Sequence, residues 1–225
     1  MLRPQTKINA TLEAIVEKLQ RYQPELTGDP QRAVSGISMN SQTVNPGDLY
    51  AAVRGARHHG ADYINQAVAA GAAAVLTDQS GMTRLPEGLP AIIVDDVRSA
   101  LADAAACIYG NEGISTPEIY GVTGTNGKTT TTYFLDALLN ALDYTTGLIG
   151  TIETRINGVA TPSQYTTPEA PELHALVARM REAGVQATAM EVSSHAMDYR
   201  RAFGLQYHVA GFTNLTQDHL DLHGN

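Results

Sequence analysis

The chain has 225 residues, of which 43% are apolar and 17% charged, with a formal net charge of −8. That is enough apolar material for a buried core and too little charge for a charge-driven disordered chain. The acidic balance argues against a protein that grips phosphate backbones, so no nucleic-acid partner is expected.

Leu12, Ile15, Val16 and Leu19 recur at helical spacing behind Asn9, a candidate cap, and predict a first helix ending near Pro24. Two short apolar runs follow at 34–39 and 48–53, separated by the turn residues Asn45-Pro46-Gly47-Asp48. Residues 61–71 read as a helix stopped by Gly71, and 72–77 as a buried strand. After a Gly- and Pro-containing loop at 80–90, 91–96 reads as a strand and 98–110 as a helix. This order favours a largely parallel α/β sheet. Cys107, the single cysteine, lies in the apolar run of that last helix and reads as a buried thiol. No stretch approaches the roughly 18 apolar residues of a membrane span, and charges interrupt the N-terminus, so a cytoplasmic protein with no membrane partner is expected.

The polar stretch 111–117 marks a boundary, dividing the chain into 1–112 and 113–225. A second α/β series follows: strand 118–123, helix 128–142, extended 147–156, helix 171–184, and strands 185–192 and 208–213. The expected fold class is α/β, a small N-terminal unit followed by a phosphate-loop unit with a mostly parallel sheet.

The strongest chemistry lies at 121–132, GVTGTNGKTTTT. A buried strand enters a glycine-containing turn, then Lys-Thr-Thr, then a helix. Gly124 and Gly127 let backbone N–H groups close on phosphate oxygens, and the helix N-terminus adds partial positive charge. Lys128 supplies a point charge and Thr129 a hydroxyl for Mg²⁺. The spacing G-x-x-x-x-G-K-[ST] is not met, because Val122 stands five residues before Gly127. The strand–turn–helix context carries the reading instead. Glu191 ends an apolar strand, where a carboxylate faces the ligand crevice of an open α/β sheet and can share the Mg²⁺ with Thr129.

The segment GVTGTNGKTT resembles the ATP-binding signature of the Mur ligases, which build the peptide stem of peptidoglycan. TTP at 166–168, AMEVSSHAM at 189–197 and FTNLTQDHLDLHG at 212–224 resemble the branch of that family that adds the third amino acid, and SMNSQTVNPGDLYAAVRG at 38–55 resembles its uridine-binding domain. The resemblance implies an ATP-dependent carbon–nitrogen ligase. Its small-molecule substrates would be ATP, UDP-N-acetylmuramoyl dipeptide and an amino acid, by family abundance meso-diaminopimelate, joined through an acyl phosphate with Mg²⁺. It implies an ATP site at Gly124, Thr125, Asn126, Gly127, Lys128, Thr129 and Thr130. It implies metal ligands at Thr129, Glu191 and His219, with Lys128, Glu191 and His219 serving the chemistry. UDP-substrate contacts are implied at Met39, Ser41, Arg57, His58, Thr166, Thr167, Ser193 and Arg201. A guanidinium such as that of Arg201 suits carboxylate or phosphate.

The sequence departs from the family pattern at several points. Asn40-Ser41-Gln42 replaces the usual Asp-Ser-Arg of the uridine site, and Tyr165 and Tyr199 stand where Asn and Gln are common. No lysine follows Lys128, whereas the family has one shortly after DHLDxHG that helps hold a second Mg²⁺. The family's third, amino-acid-binding domain is also missing, so a truncated ligase is expected. A truncated binding module without turnover, a sister Mur ligase and a folylpolyglutamate synthase are the alternatives.

Overall fold

Short apolar strands alternate with alanine-rich helices, and this alternation builds two α/β sheets in series. The structure is a computed structural model, and it describes residues 2–6, 8–115 and 117–217. In the first unit the elements are β1 (Ala10–Thr11), α1 (Leu12–Lys18), β2 (Glu25–Thr27), β3 (Ala33–Val34), β4 (Gly36–Ser38) and β5 (Asp48–Ala51). They continue with α2 (Ile64–Ala69), β6 (Ala74–Thr77), α3 (Gln79–Met82), β7 (Ala91–Ile93) and α4 (Val97–Ile108). The main sheet runs β2-β7-β6-β5-β4. Strands β4 to β7 are parallel, and β2 is antiparallel at the edge.

Three local expectations are corrected. Thr11, not Asn9, caps α1: its backbone is extended and its hydroxyl accepts the Ala14 N–H at 3.2 Å. A cap must sit directly before the first turn to reach that amide, and Asn9 is too far back. The expected loop 80–90 begins with the short helix α3, because the Asp78 carboxylate accepts the Gly81 N–H at 2.9 Å and so starts a turn. Cys107 is half-buried rather than buried, and its thiol is pushed up to about 11, chiefly by desolvation.

The second unit comprises β8 (Glu118–Thr123), α5 (Lys128–Ala141), β9 (Thr146–Ile149), β10 (Glu153–Ile156), β11 (Val159–Pro162), α6 (Ala170–Glu182), β12 (Ala187–Glu191), α7 (Ser194–Asp198) and β13 (Tyr207–Phe212). The sheet order is β11-β10-β9-β12-β8-β13, with β9, β12, β8 and β13 parallel. Helix α5 therefore carries the chain from β8 past the place that β12 later fills. The stretch read as one extended segment at 147–156 is two antiparallel strands, and β11 follows through Asn157 and Gly158, at φ 46° and 79°. Positive φ at both turn residues is the two-residue hairpin turn that Asn-Gly favours, so the signal for β11 was present in the sequence. The α/β class and the parallel-rich sheets agree with the sequence reading.

Helix α6 packs on α4, and Ala170, Ala175 and Ala178 join the core of the first unit. Small side chains allow this close approach. Polar groups fix its register. Arg181 donates to Asn111 Oδ1 at 2.7 Å and to the Tyr109 carbonyl at 2.9 Å. The fully buried His174 accepts from Asn111 Nδ2 at 3.2 Å and donates through Nε2 to the Phe203 carbonyl at 3.0 Å. Burial lowers its pKa to about 4, so the imidazole is neutral.

Candidate functional site

The phosphate loop joins β8 to α5. Gly124 has φ +129°, and a Cβ there would stand 2.1 Å from Thr213 Oγ1; Gly127, at φ +88°, begins α5. No side chain among the described residues caps this helix, whose first intrahelical bond runs from the Thr131 N–H to the Gly127 carbonyl. The amides of Lys128, Thr129 and Thr130 precede that bond and are the donors that an anion satisfies. Lys128 Nζ lies over the loop, donating to the carbonyls of Gly124 at 2.6 Å and Thr125 at 3.0 Å. The loop is braced by residues that the sequence reading did not assign to it. Asn214 accepts the Thr125 N–H through its carbonyl at 3.0 Å and the Asn126 N–H through Oδ1 at 3.1 Å. Thr213 Oγ1 donates to the Asn126 carbonyl at 2.7 Å.

Parallel pairing of β12 with β8 sets Glu191 opposite Val122, at the end of the strand that opens the loop. Glu191 is fully buried. Its carboxylate accepts from Thr129 Oγ1 at 2.9 Å, from the Thr151 N–H at 2.9 Å and from Thr151 Oγ1 at 3.0 Å. All three donors are neutral. A buried carboxylate held by neutral groups, next to a hydroxyl and an uncapped helix end, fits a hard dication that completes its shell with phosphate oxygens and water. A cavity of about 350 Å³ is lined by residues 125–130, Thr151, Thr166 and Glu191, so the structure brings most of the expected ATP and metal residues around one space. Thr151 is the residue there that the sequence reading missed. Its only signal was a turn after an apolar strand.

Thr166 and Thr167 are drawn to the same place. Thr166 Oγ1 lies 3.0 Å from Thr151 Oγ1, and the buried Thr167 hydroxyl donates to the Glu191 carbonyl at 2.9 Å. Ser193 caps α7, accepting the Ala196 N–H at 3.2 Å, and its own N–H donates to Thr167 Oγ1 at 3.1 Å. Arg201 pairs with Glu169 at 2.9 Å, and Glu169 also holds Arg98 of α4 at 2.6 Å. The rings of Tyr165 and Tyr199, two of the departures from the family pattern, lie 5.4 and 5.5 Å from the Arg201 guanidinium carbon, within cation–π range. Its buried Nε has no hydrogen-bond partner among the described residues.

The residues expected to contact uridine follow β4 and β5, two adjacent parallel strands. Met39 is half-buried against the core of the first unit. Ser41 is buried and donates to Gln66 Oε1 at 2.9 Å. Arg57 and His58 are exposed in a tight turn closed by the Gly55 N–H to His58 carbonyl bond of 2.9 Å. The next residue, His59, is buried: it accepts the Ala61 N–H at 2.9 Å and bonds Asp78 at 3.0 Å. His219 lies outside the described residues, as do Asp218 and Asp221 beside it.

The fold and loop define an α/β protein with a strand–glycine loop–helix junction of the kind that cradles phosphate. Two family models match, the Mur ligase middle domain over residues 122–225 and the Mur ligase family, catalytic domain, over 33–109. The chain belongs to the Mur ligase family. It is 50% identical over 196 residues to a UDP-N-acetylmuramoyl-L-alanyl-D-glutamate–2,6-diaminopimelate ligase of Streptomyces coelicolor, a match over 87% of this chain and 38% of that protein. It is also 50% identical, over 84% of its length and 37% of the relative's, to a UDP-N-acetylmuramyl-tripeptide synthetase of Leifsonia xyli subsp. xyli. The chain thus spans under two-fifths of the curated relatives it matches. Among solved structures, a 2,6-diaminopimelate-adding ligase superposes with TM-score 0.77 at 23% identity, over 95% of this chain and 42% of that one. A MurF ligase from Thermotoga maritima in complex with ADP has TM-score 0.56 at 23% identity, over 84% and 40%. No helix among the described residues is long and apolar enough to cross a membrane.

Proposed function

We propose that this chain carries the UDP-binding part, residues 1–112, and the ATP-binding part, residues 113–225, of a ligase that extends UDP-N-acetylmuramoyl-L-Ala-D-Glu by its third amino acid, meso-diaminopimelate. The names of the relatives at 50% identity support the reaction, and the ADP complex of a structural neighbour supports the nucleotide.

A carboxylate is a poor acyl donor because oxide is a poor leaving group. In this reading the dipeptide carboxylate attacks the γ-phosphorus of ATP and ADP leaves. The amine then attacks the acyl phosphate, and inorganic phosphate departs. Such transfers depend on positioning and charge neutralisation. Lys128 turns from its own loop carbonyls to the β- and γ-phosphates, while the amides of Lys128, Thr129 and Thr130 hold phosphate oxygens. Thr129 and Glu191 would hold Mg²⁺, which neutralises phosphate charge when bound. Thr166, Thr167, Ser193 and Arg201 receive the peptide substrate, and Met39, Ser41, Arg57 and His58 receive its nucleotide end.

One observation carries this reading: among the described residues, an uncapped helix end with its lysine stands beside a buried carboxylate held only by neutral donors. Calorimetric titration with Mg²⁺ and a non-hydrolysable ATP analogue tests it. Lys128→Ala should weaken binding by about 10- to 150-fold, the loss of one hydrogen bond to a charged group. Equal affinity in parent and variant would remove the phosphate-loop assignment.

A further inference from the structure

Glu191 and Thr166 belong to two different parts of the proposed site, one for the nucleotide's metal and one for the peptide substrate. A single side chain joins them. Thr151 has one hydroxyl proton, and it is donated to Glu191 Oε2 at 3.0 Å. The 3.0 Å contact between the Thr151 and Thr166 hydroxyls is then a bond in which Thr166 donates. A directed chain results, from Thr166 to Thr151 to Glu191, and Thr129 donates to the same carboxylate oxygen from the other side at 2.9 Å. Main-chain bonds run alongside. The Thr151 N–H donates to the other Glu191 oxygen, and Thr167 Oγ1 donates to the Glu191 carbonyl. The backbone before Thr151 closes on the carboxylate so tightly that a Cβ on Gly150 would stand 2.4 Å from Glu191 Oε1. The turn itself is held in place. It is the link between β9 and β10, and Arg155 of β10 bonds Asp136 of α5 at 2.8 Å.

We propose that Thr151 is a positioning residue that couples the two halves of the site, so that nucleotide with its metal and the UDP-linked peptide each tighten the binding of the other. The proposal rests on the function proposed above and adds a regulation to it. The physical cause is shared ordering. Thr129 and Glu191 take fixed orientations when they hold a cation, which fixes the Thr151 hydroxyl and, through it, the acceptor that orients Thr166. The second ligand then meets a loop whose ordering cost has already been met.

The experiment is a set of calorimetric titrations on the 225-residue chain. Mg²⁺ with a non-hydrolysable ATP analogue is titrated with and without UDP-N-acetylmuramoyl dipeptide, and the dipeptide with and without the nucleotide. In the parent chain each ligand should tighten the other by the same factor, about 5- to 150-fold. Thr151→Val keeps the shape and the backbone N–H but removes the hydroxyl, and the factor should fall to about one. Thr151→Ser restores the hydroxyl and should restore the coupling, an outcome that a purely structural role for the side chain does not give. Thr166→Val cuts the chain from the other end, should abolish the coupling as well, and serves if Thr151→Val does not fold. Unchanged coupling in Thr151→Val, or independent binding of the two ligands in the parent, overturns the proposal and leaves the proposed function standing. Failure of the parent chain to bind either ligand removes the function and this inference together.

Discussion

Asp48 and Glu191 are both fully buried carboxylates in parallel sheets, and they are held in opposite ways. Asp48 opens β5 in the first unit and takes two bonds from the Arg3 guanidinium, at 2.6 and 2.7 Å, with a third from the Asn45 N–H at 2.8 Å. Its charge is neutralised within the chain. Glu191 closes β12 in the second unit and has two hydroxyls and one amide as donors. None of these donors, and no cation bonded to it among the described residues, balances its charge. The carboxyl ends of parallel strands are where open α/β sheets bind ligands, and Glu191 is at such an end while Asp48 is at the other. Burial alone therefore does not mark a functional carboxylate. What distinguishes Glu191 is burial without a cationic partner among the described residues, at the carboxyl end of the sheet.

The largest expected effect attacks the first member of the pair. Arg3→Ala leaves Asp48 buried and unpaired and should cost about 3–5 kcal/mol in denaturant unfolding, with nucleotide affinity unchanged. A loss below about 1 kcal/mol would show that Asp48 is as loosely balanced as Glu191.

His174 gives the next effect, because it is a buried titratable group kept neutral by packing rather than by a partner charge. Its pKa falls from 6.5 to about 4 on folding, so below pH 6.5 the unfolded chain binds a proton that the native protein refuses until about pH 4. Stability should therefore drop across that window as pH falls, by about 3 kcal/mol in all. His174→Gln should flatten that part of the curve; an unchanged slope would assign it to other groups.

A smaller effect is expected where the backbone approaches Glu191. Gly150→Ala puts a methyl group into the carboxylate and should lower stability by about 1–3 kcal/mol and weaken Mg²⁺-dependent nucleotide binding, as thermal melts with and without ligand would show. Glu191→Gln should change stability least, within about 1 kcal/mol, since only neutral donors lose their charged acceptor. The same substitution should remove the Mg²⁺ dependence of nucleotide binding. A large stability loss with that dependence intact would reverse the roles given to the two carboxylates.

Much of the fold was legible because its signals are local. The helix at 98–110 and the strand at 118–123 were readable from periodicity, and they appear as α4 and β8 with boundaries shifted by a residue or two at most. The first helix was legible but its cap was not, because Asn9 and Thr11 are both good capping residues and only backbone geometry chooses between them. Hairpin strand β11 carried its own signal in Asn157-Gly158, but the surrounding run was read as one extended piece. The strand at 208–213 was read as such and is β13 at the sheet edge, but only the structure shows Val209 and Phe212 to be 51% and 63% exposed.

The sequence by itself determined the strand–loop–helix junction at 121–132, because a strand, two glycines, a lysine and a helix start are contiguous and their local preferences act within a few bonds. It also placed Glu191 at a strand end. Only the tertiary structure decided what surrounds that carboxylate. Thr151 is 40 residues from Glu191, and Asn214 is 88 from the loop amide it holds. No periodicity spans such separations. These contacts exist because parallel pairing of β9 with β12, and of β8 with β13, brings distant segments together at the carboxyl ends of the strands.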